Sequence, residues 1–277
     1  MGLLMTSSLD ARLPGAPPLP SPRPRITVIA HRGASADAPE NTLPAVDQAA
    51  DVADFVEVDV QMTRDRQLVV IHDTTLRRTT DVRTRFPHRA PWSVGDFTLA
   101  ELRTLDAGSW FDARYAGAVV PTLHEVLDVL RGRAGLLLEA KAPALYPGMA
   151  EAVAGEIDRS DADATRVVVQ SFDWDFMRRL NRLAPDVPTG LLGGRALRRR
   201  LAEPSTWAAQ VNRNHLRVTA AFVELVHSYG MVTWPYTVDD PRRMRSLIEL
   251  GVDGVITNRP GVLLDVLAAR SPGSRAA

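Results

Sequence analysis

Short apolar runs alternate with amphipathic segments along the chain from Arg25 onward. The runs predict strands at 26–30, 55–60, 68–73, 135–141, 166–172, 189–194, 231–238 and 253–257, with a weaker one near 210–213. Helical periodicity lies between them, at 41–53 (with Asn41 as N-cap), 121–130, 173–183 and 240–251. Strands separated by such helices are typical of right-handed βαβ units and a parallel sheet.

The number of these units indicates the fold class. About eight units on a chain of 277 residues favour a (β/α)8 TIM barrel, in the α/β class, over an open doubly wound sheet. The barrel is expected to span 25–267. The stretch 81–120 fits neither period, and we interpret it as a small insertion on the rim after the second βα region. We expect the proline-rich leader at 1–24 to be disordered and the tail at 268–277 to be flexible.

Charge and composition narrow the range of partners. The chain has 33 basic and 33 acidic residues, which leaves no broad positive field to hold nucleic acid or an anionic membrane. It has no cysteine, which excludes thiolate metal sites and a cysteine nucleophile. No apolar run reaches the roughly 18 residues of a membrane span, and the N-terminus lacks a secretory signal pattern. We therefore expect a cytoplasmic protein with a small-molecule substrate and no integral membrane segment.

Ionisable side chains collect at the ends of four consecutive predicted strands. In barrels of this kind the working residues lie at the carboxyl ends of the strands, so we expect these side chains to converge at one end. They are His31 and Arg32 after the first strand, Glu57 and Asp59 on the second, His72 at the end of the third, and Glu139 and Lys141 at the end of the fourth.

The three acidic side chains predict a site for a divalent cation. If Glu57, Asp59 and Glu139 lie together without a cation, their charges repel and favour protonation. A hard ion such as Mg²⁺ or Ca²⁺ accepts oxygen ligands and removes this repulsion.

The basic side chains complete a set suited to phosphoryl transfer. His31 and His72 can serve as an acid and a base near neutral pH. Arg32 and Lys141 can bind phosphate oxygens, and Lys141 is the single lysine among the 33 basic residues. The residues leave open which histidine is the base, and whether water, a hydroxyl of the substrate or a histidine attacks phosphorus.

Seven motifs follow one another along the chain: HRGASADAPENTLPAVDQA, VEVDVQMTRDRQLVVIHDTTLRRTT, TLAELRTLDAGSWF, VPTLHEVL, LLLEAK, VVQSFD and GVDGVITNRP. In this order they resemble the motifs of the glycerophosphodiester phosphodiesterases. The resemblance covers the chain from Arg25 to about Leu267. It implies a TIM barrel with a small inserted segment and metal-dependent hydrolysis of glycerophosphodiesters to an alcohol and glycerol 3-phosphate.

The resemblance also implies roles for individual residues, carried over by position. The implied set is an acid–base pair of His31 and His72, a divalent metal held by Glu57, Asp59 and Glu139, a phosphate held by Arg32 and Lys141, and Glu40 and Asn41 lining the site near the first histidine.

Two further features concern the substrate. Gln170, at a strand end, is a candidate for a hydrogen bond to the substrate. The family usually shows Trp-Thr-Val-Asn on the seventh strand, where this chain has Tyr236-Thr237-Val238-Asp239. The aromatic wall for the glycerol moiety would then be Tyr236, or Trp234 two residues earlier.

Two alternatives remain beside this function. One is a lysophospholipase D-type enzyme acting on a lipid substrate, for which Trp92, Phe97, Trp110 and Phe111 of the insertion offer apolar wall material. The other is a non-catalytic phosphodiester-binding protein. Retention of both histidines and all the acidic residues disfavours this second alternative.

Overall fold

A curled parallel sheet forms the centre of the computed structural model, which describes residues 25–160, 166–193 and 201–270. The leader predicted at 1–24 and most of the tail lie outside these residues. Hydrogen bonds join the parallel strands in the order β7-β6-β5-β4-β2-β1-β8. The strands are β1 (Thr27–His31), β2 (Phe55–Met62), β3 (Leu68–Val70), β4 (Gly135–Ala140), β5 (Val167–Ser171), β6 (Thr189–Leu192), β7 (Gln210–Asn212) and β8 (Gly254–Thr257).

The segment between β7 and β8 closes the sheet into a barrel. On one side Val232 bridges to Gln210 of β7. On the other side Ile256 of β8 donates its N–H to the carbonyl of Pro235 at 2.9 Å. Proline has no N–H to donate, which interrupts the ladder and leaves isolated bridges in place of a continuous strand. With this segment, eight parallel pieces of chain surround the interior, and the predicted (β/α)8 barrel is confirmed.

β3 does not belong to the barrel wall, which corrects the interpretation of 68–73 as one of the alternating strands. It pairs antiparallel with the end of β2. The connection at 63–67 is too short for the crossover that a parallel partner requires, so the chain returns as a hairpin. The return brings His72 to the carboxyl end of the barrel, because the N–H of Ile71 bonds to the carbonyl of Asp59 at 2.8 Å.

Helices cover the outside of the sheet and bury their apolar faces against it. Among the described residues, no helix has the length and apolarity to cross a bilayer. The helix predicted from 41 begins two residues later, with Thr42 rather than Asn41 at the N-cap. The helices are α1 (Leu43–Ala50), α2 (Val82–Arg85), α3 (Leu99–Leu102), α4 (Leu123–Leu130), α5 (Met149–Arg159), α6 (Trp174–Leu183), α7 (Ala220–Ser228), α8 (Pro241–Glu249) and α9 (Pro260–Ala268).

The chain between β3 and α4 has an apolar core of its own. It contains the short helices α2 and α3 and contributes no strand to the sheet. Leu76, Phe97 and Leu102 are fully buried there, in a cluster that also includes Val69 of β3. The segment therefore packs on the β2–β3 hairpin and supports the return that carries His72.

The barrel interior is apolar at the amino ends of the strands and polar at the carboxyl ends. The apolar layer consists of Ile29, Leu137, Val168, Trp234 and Ile256. The ring of Phe55, at the start of β2, lies 5.2 Å from that of Trp234. Because side chains on a strand alternate, the next inward positions are two residues further along. His31, Glu139 and Gln170 occupy these positions, above a closed apolar floor. We call this carboxyl end the mouth.

Candidate functional site

Three buried acidic side chains meet at the mouth, on β2 and β4. Glu57 and Asp59 share one face of β2 because strand side chains alternate. Glu139 of β4 lies directly opposite Asp59 in the parallel register. One oxygen from each of the three lies within 4.8 Å of the others. The structure thus brings together the three residues that the sequence suggested as metal ligands.

The crowding of these groups shifts their pKa values in different directions. Burial, together with the charges of Asp59 and Glu139, raises the pKa of Glu57 well above its ordinary value. Burial and the charge of Asp59 raise the pKa of Glu139 to about 7. Burial alone would also raise the pKa of Asp59, but the positive charges of Lys141 and Arg32 outweigh it and lower that pKa. Without a metal ion, Glu57 and Glu139 therefore hold their protons to higher pH than ordinary glutamates do.

The donor set fits a hard divalent ion. Glu57 Oε1 and Asp59 Oδ1 are buried and accept no hydrogen bond within the described structure. Lys141 Nζ lies 3.3 Å from this Asp59 oxygen and 2.6 Å from Glu139 Oε1. A buried oxygen that accepts no hydrogen bond destabilises the folded protein. A cation between the carboxylates would coordinate these oxygens and remove that cost. All three candidate ligands offer oxygen atoms, as Mg²⁺ and Ca²⁺ prefer.

His31, the last residue of β1, lies beside the acidic cluster. Its Nε2 is 4.0 Å from Glu57 Oε2, and its Nδ1 is 2.7 Å from Asn258 Oδ1. Burial, with a contribution from Arg32, lowers the pKa of His31 to about 4. The imidazole is therefore neutral at pH 7 and able to accept a proton.

His72 reaches the mouth from the β2–β3 hairpin and is held there by Gln61. The Gln61 amide donates to the backbone carbonyls of Ile71, His72 and Asp73, and its Oε1 accepts a 2.7 Å hydrogen bond from Tyr146. His72 Nδ1 lies 2.6 Å from the carboxylate of Asp73. The sequence analysis missed Gln61. Its signal was the period of two that places it on the same face of β2 as the two acidic residues.

Arg78 connects the surroundings of the two histidines and was also missed. It donates to Asp73 Oδ2 at 2.8 Å and to both oxygens of Glu40 at 2.7 Å. Glu40 in turn accepts a 2.8 Å hydrogen bond from Arg32, whose Nε lies 3.1 Å from Asp59 Oδ2. The hydrogen bond from Arg78 is the main cause that lowers the pKa of Asp73 to about 2. The available signal was the motif LRRTT, which contains Arg78.

Asn41 supports the acidic cluster instead of capping a helix. Its amide donates to Asp59 Oδ2 at 2.8 Å, and its carbonyl oxygen accepts the N–H of Asp59 at 3.1 Å. The backbone of Asn41 is left-handed, with φ 59°, a conformation that asparagine tolerates better than most residues. Asn41 therefore orients a candidate metal ligand.

The substrate-side candidates occupy different depths of the barrel. Gln170 is buried near the mouth and accepts a 3.0 Å hydrogen bond from Asn212. Tyr236 is half-buried, with its ring 6.2 Å from that of Phe172. Burial and the nearby charge of Glu139 raise the pKa of Tyr236 to about 12. Trp234 belongs to the apolar floor, so the structure does not bring it to the mouth.

Relatives of known sequence cover most of the chain. The sequence model of the glycerophosphoryl diester phosphodiesterase family matches residues 31–262. A glycerophosphodiester phosphodiesterase of Bacillus subtilis is 36% identical over 255 residues, which are 85% of this chain and 84% of that protein. One from Caldanaerobacter subterraneus is also 36% identical, over 248 residues that cover 87% of this chain and 97% of the relative.

Solved structures with the same fold lead to the same family. A phosphodiesterase of Oleispira antarctica, in complex with the product sn-glycerol-3-phosphate, has a TM-score of 0.79 and 27% identity, and the match covers 89% of this chain and 97% of that one. A glycerophosphodiester phosphodiesterase of Agrobacterium tumefaciens has a TM-score of 0.73 and 31% identity, with 87% and 100% covered. The motif resemblance is thus confirmed, and this chain belongs to the glycerophosphoryl diester phosphodiesterase family.

Proposed function

We propose that this protein hydrolyses glycerophosphodiesters to an alcohol and glycerol 3-phosphate, with a divalent metal ion and two histidines as acid and base. The observation that carries the proposal is the meeting of three buried acidic side chains and two imidazoles at one end of the barrel. Family membership and the product bound in the Oleispira antarctica structure support the substrate class.

Glu57, Asp59 and Glu139 would hold the ion, Mg²⁺ or Ca²⁺. Glu57 Oε1 and Asp59 Oδ1, which accept no hydrogen bond within the described residues, support this assignment. When bound, such an ion supplies Lewis-acid polarisation of a phosphoryl oxygen. Asn41 would keep Asp59 in position through the two hydrogen bonds that join them.

The remaining side chains bind the substrate in this proposal. Arg32 and Lys141 flank Asp59 and would contact phosphate oxygens, with Glu40 orienting Arg32. Gln170 on β5 and Tyr236 in the segment between β7 and β8 lie near the mouth, further round the barrel, so they would contact the glycerol or the alcohol. Trp234 has no part in the proposed site.

Acid–base catalysis is tested by removing each imidazole. His31→Ala and His72→Ala should each lower kcat on glycerophosphocholine by roughly 10³-fold, because proton transfer to and from the reacting oxygens is lost. His124→Ala is the matched control, since His124 lies exposed on α4 and pairs with Glu156. Near-full turnover by either of the first two variants contradicts the assignment.

Metal dependence has a separate test. Turnover should stop in EDTA and return with Mg²⁺ or Ca²⁺. Glu57→Gln should raise the metal concentration needed for half-maximal rate. A rate that EDTA leaves unchanged overturns the metal part of the proposal and leaves the histidine part standing.

A substrate with an acyl chain is a second candidate, favoured by exposed apolar side chains in loops that follow the parallel strands. Leu145 after β4, Phe172 after β5 and Leu216 after β7 are 61%, 57% and 77% exposed. If an acyl chain binds there, kcat/KM on lysophosphatidylcholine should exceed that on glycerophosphocholine, and Phe172→Ser should remove the difference.

The wall residues first suggested for such a lipid are less suited to it. Phe97 is fully buried, and Trp92 packs on the same cluster. Trp110 is 41% exposed, and its ring contacts that of Phe111 at 5.7 Å. Of the four, this last pair remains the candidate surface for an acyl chain.

A further inference from the structure

A chain of hydrogen bonds joins His31 to Asp239 through Asn258. His31 Nδ1 lies 2.7 Å from Asn258 Oδ1, and Asn258 Nδ2 donates to Asp239 Oδ2 at 2.6 Å. The second oxygen of Asp239 accepts the backbone N–H of Asn258 at 2.9 Å and the hydroxyl of Thr257 at 3.0 Å. Asp239 and Asn258 each follow the carboxyl end of one of the last two parallel pieces of the barrel.

The direction of these bonds determines which nitrogen of His31 carries its proton. A carboxylate only accepts hydrogen bonds, so the Asn258 amide must turn its NH₂ toward Asp239 and its oxygen toward His31. Ser35 Oγ, 2.9 Å from that same oxygen, is also placed to donate to it. An amide oxygen can only accept, so His31 must present Nδ1–H. The lone pair of the neutral ring is then on Nε2, the nitrogen that faces the acidic cluster.

We propose that Asp239 and Asn258 are positioning residues that hold His31 as the Nδ1–H tautomer and thereby make it the general base. This inference rests on the proposed function. An attacking water molecule forms the new P–O bond and gives a proton to His31 Nε2. The P–O bond to the leaving alcohol breaks with its electron pair on oxygen, which takes a proton from His72. Solvent then restores both imidazoles.

The contrast between the two histidines supports this division of roles. The Nδ1 of His72 lies 2.6 Å from a carboxylate oxygen of Asp73, which also accepts hydrogen bonds from Arg78. The Nδ1 of His31 faces a neutral amide. With the lone pair of His31 held on Nε2 as the proton acceptor, His72 remains as the proton donor.

The site offers an exchange of two side chains that tests the argument. In Asp239→Asn, the new amide keeps its oxygen on the Asn258 N–H and on Thr257, so its NH₂ points at the Asn258 side chain. That side chain must turn over and present its own NH₂ to His31. His31 Nδ1 then becomes the acceptor, and the proton moves to Nε2.

In the double variant Asp239→Asn/Asn258→Asp, the new carboxylate at position 258 accepts one hydrogen bond from the new amide at position 239 and one from His31. His31 therefore returns to the Nδ1–H tautomer. We expect kcat to fall by about 10²–10⁴-fold in the single variant, as expected when a ring is held in the wrong tautomer. The double variant should recover to within about tenfold of the parent. Asp240→Asn, the same change one residue further on, should leave kcat unchanged.

The tautomer of His31 is measured from the ¹⁵N NMR signals of its ring nitrogens in the intact protein. If Asp239 and Asn258 had only a structural role, these substitutions would not change the tautomer. The His31 signals are identified by their loss in His31→Gln. The expected order is Nδ1–H in the parent, Nε2–H in Asp239→Asn and Nδ1–H in the double variant. Nε2–H in the parent overturns the proposal, even if Asp239→Asn fails to fold. The tautomer is measured without substrate, so a parent that fails to hydrolyse glycerophosphodiesters but shows Nδ1–H contradicts the proposed function and not the positioning role.

Discussion

Replacing Glu139 with glutamine should stabilise the metal-free protein at alkaline pH. Glu139 is buried opposite Asp59, and burial is the main cause of its raised pKa. Glutamine has nearly the same volume, carries no charge, and can still accept the hydrogen bond from Lys141. The variant therefore removes the charge repulsion while leaving the packing in place.

The magnitude follows from the two pKa values of Glu139. The difference between about 7 in the folded protein and 4.5 for an ordinary glutamate corresponds to on the order of 3 kcal/mol. Between these pH values the folded state holds a proton that the unfolded state has released. The free energy of unfolding therefore falls as pH rises through this window and is level above it. Glu139→Gln has no carboxyl group to titrate at this position. Its free energy of unfolding should therefore equal that of the parent at pH 4 and exceed it by the full amount at pH 8.

Urea denaturation in EDTA, at intervals from pH 4 to pH 8, measures the effect. Glu224→Gln, an exposed position on α7, should follow the parent at every pH. Adding saturating metal should then stabilise the parent by about 2.7 kcal/mol at a hundred times its Kd, and the glutamine variant by less. If the free energy of unfolding of Glu139→Gln falls with pH as steeply as that of the parent, the buried charge of Glu139 does not destabilise the folded protein. If metal stabilises both proteins equally, Glu139 is not a ligand.

Three further substitutions test the support of the site. Gln61→Leu leaves three backbone carbonyls without their donor and should lower the free energy of unfolding by about 2–4 kcal/mol, measured by thermal unfolding. Tyr146→Phe, which removes only the hydrogen bond to Gln61, should lower it by about 1 kcal/mol. Equal losses would show that Gln61 does not hold the chain around His72. Gly33 has a φ of 80°, and an added Cβ would lie 2.5 Å from the α1 backbone. Gly33→Ala should therefore lower the free energy of unfolding by about 3 kcal/mol or more. Gly132→Ala, where an added Cβ meets open space, should lower it by only about 1 kcal/mol. Lys141→Arg should raise KM roughly tenfold in steady-state assays, since a planar fork does not replace a compact ammonium between two carboxylates; an unchanged KM refutes this.

The barrel could be predicted from the sequence because its signal repeats. Each strand is a short apolar run and each helix a segment of different period, so a misplaced boundary does not change the count by much. The hairpin at 68–73 had the same local pattern and was misassigned. Local periodicity reports that a strand exists but not the direction of its partner. The five-residue connection at 63–67 carried that information, since a parallel crossover needs about a dozen residues.

The site could be predicted where residues follow a strand and missed where they act across the fold. Glu57 and Asp59 share a face because of a local rule. Arg78 pairs with Glu40, 38 positions away. Asn258 meets His31 at a separation of 227. Nothing in the spacing of such residues indicates that they touch, so their roles emerge only when the barrel closes.

The hairpin explains how the second imidazole can stand apart from the barrel wall and still serve the same site. A barrel strand is held by hydrogen bonds to both neighbouring strands, as β1, which ends at His31, is held between β2 and β8. His72 follows β3, which pairs with β2 on one side and meets only an isolated bridge to Thr122 on the other. The position of His72 therefore depends on the hydrogen bonds from Gln61 and on the apolar cluster between β3 and α4. Substitutions in that cluster should therefore disturb the environment of His72 more than that of His31. In the proposed reaction, the segment between β3 and α4 would thus position His72, although none of its apolar residues needs to touch the substrate.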